Sequence, residues 1–198
     1  MASVGDAFLR RFTVSRFIRS TALVLAGILI AGCGGGDSSG ADAESFNASD
    51  VMFAQMMIPH HEQAIEMSDI ALDPTTGAGD AVRELATAIK AAQDPEIAEM
   101  TALLGGWGMA TEMDPSMDHS DMMSGMLTLD ELDELAALRG AAFDRMWLEA
   151  MIRHHEGAID MAEDVLSDGS DPSMMSLAER IIAAQRIEID AMRALLEA

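Results

Sequence analysis

The sequence predicts an all-α protein, a four-helix bundle built from a duplicated helical hairpin. Two stretches read almost alike: Met57-Ile58-Pro59-His60-His61-Glu62-Gln63-Ala64-Ile65-Glu66-Met67 and Met151-Ile152-Arg153-His154-His155-Glu156-Gly157-Ala158-Ile159-Asp160-Met161. Apolar residues recur at helical spacing through four long segments, and no segment alternates as a strand does. One amphipathic hairpin cannot bury both of its stripes, so two should close on each other.

The elements follow in chain order. Residues 1–32 carry Arg10, Arg11, Arg16 and Arg19 ahead of an apolar run from Thr21 to Ala31, the order of an export signal, and are read as a lipoprotein signal peptide. The apolar run is too short to span a bilayer comfortably. Ile30-Ala31-Gly32-Cys33 is similar to the lipobox at which bacterial lipoproteins are cut and acylated, so Cys33, the only cysteine, is the expected lipid attachment point. An uncleaved anchor is the alternative, and both readings place the remainder outside the cytoplasm, on a membrane. Residues 33–48, rich in Gly, Ser, Ala and Asp, read as a flexible tether, and 49–198 as a single helical-bundle domain.

Repeat one covers 50–104. Its first helix, Asp50 to Leu72, has Phe53, Met57, His60, Ala64, Met67 and Ala71 on one stripe, with His61 beside it, so both histidines face inward. Glu62 and Glu66 fall on the solvated side, and Pro59 should kink or split the helix. The second helix, Asp80 to Leu104, puts Gln93 on its core stripe with Glu96 flanking it, and Gly105-Gly106 reads as its stop. A loop over 105–127 follows. Repeat two, 128–198, opens with the capping box Thr128-Leu129-Asp130-Glu131 on a short helix. A long helix from Ala141 then carries Trp147, Met151, His154, Ala158, Met161 and Val165 on one stripe. Asp171-Pro172 starts the last helix, in which Gln185 and Glu188 stand where Gln93 and Glu96 stand in repeat one.

The net charge of −22 over 198 residues disfavours nucleic acid and anionic lipid as partners and concentrates cations near the surface. Tyrosine is absent, so methionine, leucine, isoleucine and alanine must fill the core.

Two inward imidazoles per repeat, each pair preceded one turn earlier by Met57 or Met151, suit metal ligation, with Gln93, Glu96, Gln185 and Glu188 supporting from the partner helices. They suit equally a core hydrogen-bond network in which Gln93 and Gln185 satisfy the rings without metal. Di-iron bundles use Glu-x-x-His on two helices, because hard oxygen ligands bridge the irons. Here the residues three before His60 and His154 are thioethers, which favour Cu(I) or Ag(I) over iron. The loop adds Met109, Met113, Met117, His119, Met122, Met123 and Met126 among Glu112, Asp114, Asp118 and Asp121. Thioethers bind soft cations and the acids attract them. An apolar flap with methionine as filler is the alternative. Its Met117-Asp118-His119-Ser120 stretch resembles methionine-rich segments of bacterial copper and silver resistance proteins.

The repeated Met-Ile-x-His-His-Glu-x-Ala-Ile-x-Met, each followed by Gln-x-x-Glu-Ile on the next helix, resembles the secreted bacterial domain-of-unknown-function 305 family. The resemblance implies a ferritin-like helical bundle and, for some members, periplasmic copper binding used in copper tolerance. Met57, His60, His61, Met151, His154 and His155 carry the motif, with Pro59 and the Gly157 that replaces Gln63 as departures.

The expected function is therefore a membrane-anchored, extracytoplasmic lipoprotein that sequesters or transfers copper, Cu(I) ahead of Ag(I), and exchanges it with a donor or acceptor protein. It is not an enzyme in this reading. A ferritin-like metallo-oxidase using the buried histidines and a structural bundle that binds a protein partner are the alternatives.

Overall fold

A computed structural model describes residues 45–113 and 123–198, all within one compact unit. The lipobox and Cys33 lie outside the described residues, as do Met117, His119 and Met122. Five α-helices occur in the order α1 (Ala48–Leu72), α2 (Asp80–Trp107), α3 (Leu129–Ala137), α4 (Ala141–Asp168) and α5 (Pro172–Leu196). A 3-10 turn at Pro74–Thr76 joins α1 to α2. The described residues contain no strand and no helix long and apolar enough to cross a membrane.

The helix starts follow from local chemistry. Asn47 caps α1, accepting from the backbone N–H of Ser49 and Asp50, while the Asp50 carboxylate accepts from the Asn47 N–H. Thr128 and Glu131 form the expected capping box, and Asp171 with Pro172 opens α5. Two details differ. Helix α1 runs through Pro59 without the split that residue could have caused. Gly105 and Gly106 lie inside α2, which stops at Gly108 instead. Gly108 has φ 70°, and its N–H donates to the carbonyls of Leu104 and Gly105, so the left-handed residue that ends the helix is the third glycine and not the first pair.

Each hairpin packs on itself, α1 on α2 and α4 on α5, and the hairpins meet through α1 against α4 and α2 against α5. Every stripe residue expected on α1 and α4 is buried. Trp147 is fully buried, and its indole N–H donates to the Met67 carbonyl at 3.0 Å, tying α4 to α1 without leaving a polar atom bare. The buried Asp50 carboxylate accepts from the backbone N–H groups of Ser170 and Asp171, which pins the α4–α5 turn to the start of α1. These contacts fix α1 against α4, the two helices that carry the paired histidines.

Candidate metal centre

All four paired histidines are buried, as helical periodicity requires of residues on the stripe and next to it. The repeat equivalence of His60 and His154 becomes a physical contact: their ring centroids are 3.8 Å apart and the planes are inclined by 44°. His154 and His155 are 6.3 Å apart by the same measure. Met57 and Met151, one turn earlier on the same helices, are fully buried.

The partners of the rings decide which nitrogen carries the proton. His61 Nε2 lies 2.8 Å from Glu96 Oε2, and His155 Nε2 lies 2.8 Å from Glu188 Oε2. A carboxylate oxygen accepts, so each Nε2 donates, and the tautomer this selects leaves Nδ1 as the nitrogen available to a metal. His60 Nε2 donates to the Ser124 carbonyl at 3.1 Å, with the same result. Three imidazoles thus turn Nδ1 into the bundle interior. Glu96 and Glu188 stand as carboxylates behind histidines, the arrangement that orients a ring and raises its basicity toward a metal.

Nine side-chain atoms of this region are buried without a hydrogen-bond partner among the described residues. They are Nδ1 of His60, His61 and His155, both ring nitrogens of His154, and both amide atoms of Gln93 and Gln185. The alternative network, with glutamine satisfying histidine, does not form among the described residues. Unpaired buried polar atoms cost about 1–3 kcal/mol each, so this cluster would gain from a buried water or a ligand. Burial holds His60 down to about 3, helped by the neighbouring His61 and His155, and opposed by its bond to Ser124. His154 lies well below the ordinary histidine range, first through burial and then through His60. Both rings are neutral at physiological pH and can offer a lone pair without first losing a proton. Among the described residues, no three His, Cys, Asp or Glu side chains gather in a set able to hold a metal ion. A centre here would draw on thioether or amide donors beside the imidazoles.

The described ends of the loop place their methionines differently. Met109 is exposed, while Met113, Met123 and Met126 are half-buried, and Met113 packs against the core. Its far end docks closely. The Gln63 amide donates to the Leu127 carbonyl at 2.9 Å and accepts from the Leu127 N–H at 2.7 Å. In repeat two the equivalent residue is Gly157, and a Cβ there would collide with the Ser124 carbonyl. Gln63, Ser124 and Gly157 were not among the expected site residues. The one signal available was the mismatch of Gln63 and Gly157 within an otherwise repeated motif.

Comparison with known proteins agrees with this architecture. A DUF305 fragment from Deinococcus radiodurans is 34% identical, covering 76% of this chain and 97% of its own, with a TM-score of 0.68. A DUF305 protein from Streptomyces coelicolor, assigned as secreted, is 30% identical over 75% of this chain and 92% of its own, with a TM-score of 0.70. CopM in its Cu(I)-bound form is 31% identical over 75% of this chain and 95% of its own, with a TM-score of 0.61, and other solved forms hold Cu(II) or silver. An uncharacterized protein of Acanthamoeba polyphaga mimivirus is 38% identical over 63 residues, which span 31% of this chain and 41% of the viral protein. The model of the domain of unknown function DUF305 matches residues 50–196, and with those solved relatives it establishes that the chain belongs to the DUF305 family.

Proposed function

We propose that this protein binds a soft monovalent cation, Cu(I) or Ag(I), outside the cytoplasm and serves copper sequestration or transfer rather than catalysis. The observation that carries the reading is the set of buried Nδ1 atoms at His60, His61, His154 and His155, unpartnered among the described residues, with Met57 and Met151 buried one turn earlier on the same helices. Neutral imidazole and thioether together match the preference of Cu(I), and imidazole alone also accepts Cu(II). The copper- and silver-bound forms of CopM support the same chemistry in a related fold. Glu96 and Glu188 engage ring N–H groups and so act as orienters of histidine, which speaks against their use as bridging carboxylates of an iron oxidase. The methionines of 109–126 add a capture segment, and Cys33 a lipid anchor through which the bundle stays at the membrane.

Anaerobic titration with Cu(I) and, separately, Fe(II), read by metal analysis, tests the proposal. Uptake of Cu(I) that falls when His60 and His154 are both replaced by glutamine is expected. Iron uptake with oxygen consumption, or no uptake at an intact fold, would overturn it. Mass spectrometry of the exported protein should find lipid on Cys33 and none in Cys33→Ala.

A further inference from the structure

A cavity of about 400 Å³ is lined by residues of α1 and α4 and reaches Met56, one helical turn before His60. Its lining sets Met52, Met56 and Met161 among Asp160, Asp164 and Asp168. Ser124, whose carbonyl holds His60, also lines it. Helical spacing explains the grouping. Met52, Met56 and His60 stand four residues apart on α1 and share a face, with about 6 Å of rise between successive members. Their exposure falls from 38% through 6% to 0% along that line. On α4 the three aspartates repeat at the same interval and are exposed, and among the described residues no lysine or arginine pairs with them.

An acidic helix face alone would be no more than a solvated surface. Three thioethers at the same opening add donors that select soft cations over hard ones, and the carboxylates concentrate cations of any kind. We propose that this cleft is a separate, solvent-facing site for a soft monovalent cation and the port through which the cation reaches the imidazoles. Met52, Met56 and Met161 take the ion from solvent, and Met56 passes it one helical turn inward to His60. The port role rests on the proposed buried centre; the cleft site does not.

The test uses the full chain carrying 13C-methyl methionine and 15N-histidine, with silver nitrate in chloride-free buffer as the probe. The methyl signals of Met52, Met56 and Met161 should shift before the ring signals of His60 and His154. The triple variant M52L/M56L/M161L, which conserves side-chain volume, should slow the ring shifts at least tenfold while their end point stays the same. Thermal unfolding of the variant establishes that the fold is intact. Ring shifts at an unchanged rate with silent methyls would overturn the cleft and leave the buried centre standing. Methyl shifts with unmoved rings would overturn the port and the buried centre while retaining the cleft site, and silence at both would overturn all three.

Discussion

Gln63 and Gly157 occupy the same position in the two repeats, and both serve one short segment: Gln63 clamps the backbone of Leu127, and Gly157 leaves the space filled by the Ser124 carbonyl. That carbonyl in turn accepts from His60 Nε2. The asymmetry between the repeats is what lets a single loop end rest on a pseudo-symmetric pair of helices and fix the tautomer of one histidine.

Gly157→Ala tests this by its sign. Alanine in place of glycine inside an ordinary helix stabilises by roughly 0.5–1 kcal/mol. Here the added Cβ would displace Ser124, so a loss of about 1–3 kcal/mol is expected in urea unfolding, with weakened amide protection at Leu127 in hydrogen exchange. A stabilised variant would sink the docking account.

Gln93 and Gln185 hold amides that are buried and unpartnered among the described residues. Replacing either by leucine should stabilise the metal-free protein by about 1–3 kcal/mol, because a costly buried polar group disappears. Denaturant midpoints without metal measure the gain. The same variants should bind Ag(I) less tightly if the amides face the ion, which a competition titration resolves.

Glu96→Gln and Glu188→Gln leave shape but remove the acceptor-only partner that forces Nε2–H on His61 and His155. Metal affinity should fall about 10- to 100-fold, the usual effect of losing a carboxylate behind a ligating histidine. Ring 15N shifts of the metal-free protein should show mixed tautomers in the variants and a single Nε2–H form in the parent.

Stability should decrease as pH falls below the ordinary histidine range. His60 titrates at about 3 when folded and near 6.5 when unfolded, so between those values the unfolded chain binds more protons and stability rises with pH. From pH 7 to pH 5 the loss from His60 alone is about 2 kcal/mol, and His154 shifts in the same direction. Urea unfolding at the two pH values measures it, and His60→Gln should flatten the difference.

Much of this could be read from the residues directly. The repeat, the inward facing of His60, His61, His154 and His155, the Thr128–Glu131 cap and the Asp171–Pro172 start all depend on neighbours within one or two helical turns, and periodicity reports such neighbours faithfully. The stop of α2 was misplaced because three glycines lie close together and only the one whose backbone turns left-handed ends the helix. Pro59 was expected to kink or split α1, and of these the split does not occur, since α1 remains continuous through it.

Sequence alone determined the helical class, the duplication, the family and the donor types, because each is written in spacing and side-chain chemistry. Tertiary structure decided that His60 meets His154, that Glu96 and Glu188 hold His61 and His155 by Nε2, that the glutamine amides do not bond the rings, and that Met52, Met56 and Met161 share an opening with three aspartates. Those relations join residues up to 116 positions apart, from Met52 to Asp168. They are set by how α1 packs on α4 and where the 123–127 segment comes to rest, and no local periodicity encodes either.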